Sequence, residues 1–258
     1  MCLITFAYKT HPDYPFVLAA NRDEFHKRPA KPVHLWDSEP PVIAGKDLKA
    51  GGTWMGLNAN GHIAALTNYR KLNEIKENAP SRGEIVTRFL QSNDTISESL
   101  EQIRQTAGLY NGFNLIAGSL DDLYYITNKK DEIQSIEPGF HTISNAFLNT
   151  PWPKSEWARN QLQSTMKNGV PDEEEIFGFL LDTRRYPIEK LPETGLPEDL
   201  EKAVSSVFIQ TENYGTRCSS IIYMNANGEI TFVERTFKPG TKEIETEERH
   251  NLHSNLSI

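Results

Sequence analysis

Cys2 stands directly after the initiator methionine, and its side chain is small enough to permit removal of Met1. The exposed residue then carries a thiol and a free α-amine. The thiol is a nucleophile, and the amine is a general base with a pKa of about 7.7–8.0. One residue thus supplies both parts of an acyl-transfer catalyst. The plainer alternative is a small apolar residue opening a buried strand. A second chemical group is "LAANRDEF" at 18–25, where Asn21, Arg22, Asp23 and Glu24 end an apolar run. A tight hairpin would return this segment to the chain start and bring Arg22 and Asp23 to Cys2. A cation there favours the thiolate, and a carboxylate holds the α-ammonium group. The alternative is a charged strand exit with a local ion pair.

Asn68 in "LTNYR" and Asn145 in "TISNAF" each follow an apolar strand segment. Amide donors at such positions can stabilise the oxyanion of a tetrahedral intermediate, although strand-end asparagines are common. Arg217 in "YGTRCSS" is either an ion-pair partner or a binder of an anionic substrate group. Trp54, Tyr69 and Trp152 are candidates to line an apolar cavity, with core packing as the alternative. Gly51-Gly52 before Thr53-Trp54 allow close backbone approach at a pocket rim. Cys218 lacks an associated base and reads as a buried core thiol. His11, His26, His34, His62 and His141 are scattered singly, and "HNLH" near the C-terminus lies in a polar segment. No metal site is expected from either.

These residues need elements to hold them. "CLITFAYK" and "PFVLAAN" read as a hairpin beginning at residue 2, and "NANG" marks two further hairpin turns, at 58–61 and 225–228. Ser81 and Glu84 have capping-box spacing ahead of Ile85, Val86, Phe89 and Leu90, and Ile96, Leu100 and Ile103 form a second helical stripe. Strands follow over "FNLIAGS", "DLYYITN" and "FHTISNAF". Helices are predicted at about 154–167 and 173–182, the latter opening on "DEEE". Residues 183–205 read as a long surface connection, and the chain from about 241 as a frayed polar tail. Strands, helices, strands, helices, strands is an α+β order, not a doubly wound βαβ repeat. One domain over 1–240 with a tail over 241–258 is expected.

Composition restricts the function classes. With 38% hydrophobic residues the chain can build a core, and a net charge of −8 argues against nucleic acid as a partner. No apolar run reaches the length of a membrane span, no cleavable signal is recognised, and two cysteines make no disulfide framework. A cytoplasmic protein without stable membrane insertion is expected, and the oligomeric state is left open.

"MCLITFAY", "LAANRDEF", "GGTWMGLN", "AALTNYR", "YNGFNLIAG", "SNAFLNTPW" and "YGTRCSS" together resemble the NRDE-motif family, also called the transport and Golgi organisation protein 2 family. The resemblance runs from residue 1 to about 235. It implies an N-terminal-nucleophile (Ntn) hydrolase fold, a four-layer αββα sandwich of two mainly antiparallel sheets. "GLNANGHIAALTNY" also looks like the second hairpin of the bile-salt hydrolase and penicillin acylase branch. By that resemblance Cys2 is the nucleophile, its α-amine the base, Asn68 an oxyanion donor and Asn145 a second orienting amide. That branch leaves two residues between its arginine and aspartate, whereas Arg22 and Asp23 are adjacent, so either Asp23 or Glu24 is the carboxylate at the cysteine. The resulting expectation assigns Cys2, Arg22, Asp23, Asn68 and Asn145 to catalysis. Asn21, Glu24, Trp54, Tyr69 and Arg217 are assigned to substrate binding. The implied reaction is hydrolysis of a linear amide through a thioester, without a cofactor. The competing expectation is a non-catalytic carrier of haem or another hydrophobic small ligand, with His26 as the histidine nearest the site and no Cys-x-x-Cys-His attachment motif.

Overall fold

Two antiparallel sheets lie face to face in the computed structural model, which describes residues 2–253. β1 (Cys2–Tyr8) and β2 (Phe16–Phe25) form the opening hairpin. The first sheet is completed by β10 (Gly139–Ile143) beside β1, and by β11 (Tyr214–Met224), β12 (Glu229–Phe237) and β13 (Ile244–His253) beyond β2. The second sheet runs in chain order through β3 (Ala30–Trp36), β4 (Val42–Asp47), β5 (Met55–Asn58), β6 (His62–Asn68), β7 (Phe113–Ser119), β8 (Leu123–Thr127) and β9 (Ile133–Ser135). Both expected "NANG" turns join paired strands, β5 to β6 and β11 to β12. Gly61 and Gly228 take the positive φ that such turns demand.

Side-chain alternation builds the layers. Ile4, Phe6 and Tyr8 of β1 meet Phe16 and Leu18 of β2 and Leu57, Ile63 and Ile116 of the other sheet in a core between the sheets. Leu3, Ala7, Val17 and Ala19 face the opposite way, onto α3 (Pro153–Thr165) and α4 (Glu173–Leu180). The outer face of the second sheet is covered by α1 (Gly83–Gln91) and α2 (Ile96–Thr106) through Val86, Phe89, Leu100 and Ile103. This is the expected αββα Ntn-hydrolase architecture.

Three local expectations are corrected. The capping box belongs to α2, where Thr95 and Glu98 cap each other, and not to α1, whose N-cap is Arg82 without a side-chain bond. α1 starts later because Gly83 packs on the Gly52-Thr53 backbone, where a Cβ on Gly52 would stand 2.6 Å from the Gly83 carbonyl carbon. The 183–205 stretch is not all surface: it contains α5 (Glu198–Ala203), whose Glu201 is buried and pairs with Arg70 at 2.6 Å. The expected polar tail forms β13 over Ile244–His253, an edge strand whose register with β12 spans its length. Among the described residues no helix is long and apolar enough to cross a membrane.

Candidate functional site

Where β1 begins and β2 ends, one row of residues crosses the first sheet. Cys2, Arg22, Cys218 and Thr236 lie opposite one another on β1, β2, β11 and β12. By the alternation that points Ile4, Leu18 and Ile222 between the sheets, this row also faces the space between them. Arg22 accordingly reaches across to β4, with Nη2 3.7 Å from Asp47 Oδ2. Burial pushes the Asp47 carboxyl up, but the Arg28 Nε–H bond at 2.6 Å and the backbone N–H groups of Ala50 and Lys49 outweigh it and hold the group low.

Neighbours in a strand point to opposite faces, so "NRDE" divides. Arg22 and Glu24 serve the inter-sheet side, while Asn21 and Asp23 turn toward the helices. Asn21 is fully buried; its Nδ2 donates to Leu180 O at 2.8 Å and Val207 O at 3.0 Å, and its Oδ1 accepts from Ser219 Oγ at 2.6 Å. That bonding ties β2 to α4 and β11 and leaves the amide no substrate-facing group, contrary to the expected binding role. Asp23 accepts from Thr216 Oγ1 at 2.7 Å, and its carbonyl accepts from Tyr214 Oη at 2.9 Å. Thr216 reaches it because a bulge at Arg217 shifts the register between Thr216 and Cys218. The same bulge frees Arg217 to donate through Nη1 to the carbonyls of Phe25, His26 and Arg28, which pins the turn after β2.

A cavity of about 610 Å³ opens over this row. Cys2, Arg22, Asp23, Glu24, Trp54, Asn68 and Arg217 line it, so seven of the expected residues meet. Tyr69 and Asn145 do not join them. They line a second cavity of about 770 Å³ with Arg70, Leu72 and Trp152. Between the two lies a bond from Asn145 Nδ2 to Asn68 O at 2.8 Å. Asn145 therefore holds the end of β6, and Asn68 carries the amide at the Cys2 cavity. Ser144 Oγ closes the group by donating to Cys2 O at 3.0 Å. Of the glycine pair read as a rim, Gly52 lines the cavity, with Gly83 beside it, and Gly51 is outside the lining.

Sequence reasoning missed several wall residues. Arg82, read as part of a helix start, is a wall cation that interacts electrostatically with Cys2 and Glu24 and donates to Gly112 O at 2.9 Å. Glu234 lies on the floor beneath Cys218, accepting from Val33 N at 2.8 Å and Ser220 Oγ at 3.1 Å. Cys218 itself is a wall residue and not only a core thiol. The histidines lie outside this wall. His26 Nε2 is 3.1 Å from Thr211 O, and His141 stacks on Phe6.

Protonation completes the picture. Burial pushes the Cys2 thiol up, and a backbone hydrogen bond from Asp23 and the Arg22 charge oppose this without overcoming it. The Asp23 charge adds to that rise. The cation expected to favour the thiolate therefore does not outweigh burial. Burial pushes the carboxyls of Asp23 and Glu234 up as well.

The four layers, with β1 paired on both sides and the cavity at its first residue, are those of an Ntn-hydrolase fold. A solved N-acylethanolamine-hydrolyzing acid amidase orthologue of Caenorhabditis elegans shares the fold, at 11% identity and a TM-score of 0.50, over 86% of this chain and 92% of that one. The family model described as Transport and Golgi organisation 2 matches residues 1–239, and the chain belongs to that family. Its relatives include the Transport and Golgi organization 2 homologues of Mus musculus and Homo sapiens. Each is 33% identical over 257 residues, with 92% of this chain and 93% of the relative covered.

Proposed function

We propose that this chain hydrolyses a linear carbon–nitrogen amide with Cys2 as its nucleophile. Removal of Met1 frees the α-amine. The amine takes the thiol proton as Sγ attacks the substrate carbonyl, and Asn68 donates to the developing oxyanion. Collapse breaks the C–N bond, the amine passes the proton to the leaving nitrogen, and a thioester remains. Water, deprotonated by the same amine, then releases the acid and returns the proton to sulfur. Asp23 binds the ammonium form between these steps. The observation that carries this reading is the position of Cys2: first residue of β1, a strand paired on both sides, at the wall of a cavity shared with Asn68, Arg22 and Asp23. A thiol nucleophile also fits a reducing compartment, and we place the protein in the cytoplasm on that ground.

The haem-carrier reading has less support, since the cavity wall is rich in Arg22, Arg28, Asp47 and Arg82 and its axial-ligand candidates lie elsewhere. The test is brief labelling with iodoacetamide at neutral pH followed by peptide mass spectrometry. Loss of Met1 with Cys2 labelling well ahead of Cys218 is the expected result, and Cys2→Ala should then abolish turnover in an amide screen. Retained Met1, or full turnover by Cys2→Ala, would overturn the mechanism.

A further inference from the structure

Arg82 stands where a helix start has no use for an arginine. It is the N-cap of α1, makes no side-chain capping bond, and brings a positive charge to the positive end of the helix dipole. Its side chain instead crosses to the end of the second sheet. Nη1 donates to Gly112 O at 2.9 Å, and the same carbonyl accepts from Tyr69 N at 2.9 Å. Tyr69 follows Asn68, which pairs with Phe113 where β6 ends and β7 begins. The guanidinium is thus fixed one residue from the amide proposed as the oxyanion donor, on the wall of the cavity that holds Cys2.

A single main-chain carbonyl is little for a group with five N–H donors. Among the described residues no carboxylate lies within ion-pair distance of Arg82. Glu24, which acts on it from further off, is paired with Arg28 at 3.8 Å. The other cations of the wall are engaged or outside. Arg22 and Arg28 share Asp47, at 3.7 and 2.6 Å. Arg217 gives Nη1 to three main-chain carbonyls, and Lys46 lies 4.6 Å over the Trp36 ring. Lys31 is exposed, whereas Arg82 is half-buried and burial works against its charge. A planar, partly desolvated fork of donors at a cavity wall matches a carboxylate, which takes two parallel N–H bonds.

We propose that Arg82 anchors a carboxylate of the ligand, so that the cavity takes a small molecule whose carboxylate lies a few bonds from the group presented to Cys2. That this molecule is a carboxylate-bearing amide rests on the hydrolase reading; the carboxylate site does not.

Iodoacetate and iodoacetamide test the site on the full chain. Both alkylate a thiol with loss of iodide, and they differ by a carboxylate in place of an amide. Peptide mass spectrometry times the alkylation of Cys2 by each, and the ratio of the two rates cancels any general change in thiol reactivity or packing. The ratio of acid to amide should fall about tenfold in Arg82→Gln, as expected for losing a charge-assisted pair. It should recover in part in Arg82→Lys, which restores the charge without the fork. Lys31→Gln removes an equal charge from the exposed rim and should leave the ratio nearly unchanged. An unchanged ratio in folded Arg82→Gln overturns the proposal, and so does an equal fall in Lys31→Gln, which would mark a diffuse field. The wild-type protein gives a second reading that needs no variant. Alkylation by iodoacetate should saturate with concentration and be slowed by unreactive acetate. Strict proportionality without protection overturns the site, as does a Cys2 that neither reagent reaches. The N-terminal mass of the same samples separates the two readings. An Arg82-dependent preference with Met1 retained leaves the carboxylate site standing and removes the hydrolase mechanism. A processed, reactive Cys2 with an unchanged ratio does the reverse.

Discussion

Replacing Asn21 with Ala tests whether the first residue of "NRDE" builds the site or touches the substrate. The side chain has no exposed surface and makes three hydrogen bonds, two to main-chain carbonyls of 180 and 207 and one from Ser219. Each bond contributes about 1 kcal/mol net, and each buried partner left unpaired costs about 1–3 kcal/mol. With partial relaxation, Asn21→Ala should lose about 3–5 kcal/mol. For a chain of this size that lowers the melting temperature by roughly 8–15 °C. Urea unfolding followed by tryptophan fluorescence gives the free energy, and iodoacetamide labelling of the folded protein gives Cys2 reactivity. Asn21→Asp should be worse than Ala, because a buried carboxylate would face two carbonyl oxygens. A loss below about 1 kcal/mol, within the range of an inconsequential surface change, would refute this reasoning and return Asn21 to the substrate.

Gly52→Ala drives a Cβ to 2.6 Å from the Gly83 carbonyl carbon and 2.8 Å from its oxygen. It should cost about 1–3 kcal/mol by chemical denaturation, since neither backbone can yield freely. Glu234→Gln keeps an acceptor for Val33 N, turns the Ser220 Oγ bond round so that the amide donates, and removes a carboxyl that burial has raised. A carboxyl raised by folding binds its proton more tightly in the folded state, so wild-type stability falls as pH rises from the ordinary glutamate value through the raised one. The melting-temperature advantage of Glu234→Gln should therefore be larger at pH 8 than at pH 5, and a constant difference would refute it. Thr95→Ala removes the capping box of α2 and should lose about 1 kcal/mol, read in the same melts.

The two "NANG" hairpins and the opening hairpin are legible because apolar alternation and turn residues are local signals, and each is satisfied within a few residues of chain. β13 is not, because "IETEERHNLH" alternates charge with charge. An edge strand with a polar outer face carries no apolar stripe, and only its pairing with β12 makes it a strand. β3 and β4 escape notice for a related reason, since Pro29, Pro32, Pro40 and Pro41 break the pattern that would mark them. Within the site, Cys2 and Arg22 are readable as neighbours because a tight hairpin fixes their register. Asp47 and Arg82 are not, because their partners come from other layers and no spacing along the chain encodes a contact between layers. Arg22 and Asp23 alternate across β2, yet both reach the cavity wall, and only the bulge at Arg217, which brings Thr216 to Asp23, shows how the second of them is held.

The row Cys2, Arg22, Cys218 and Thr236 joins β1 to β12, more than two hundred residues apart along the chain. Contacts so distant in sequence form late and slowly in folding. During synthesis Cys2 exists well before Cys218 and Thr236, the strand partners that complete its row. Until β11 arrives, β2 presents an open sheet edge, the kind of surface that mispairs and aggregates. Closing that edge and finishing the cavity are one event. A chain cut short before residue 214 would hold Cys2 with Arg22, Asn68 and Arg82 but lack Arg217, Cys218 and Glu234, and the cavity would stand open along the β11 side.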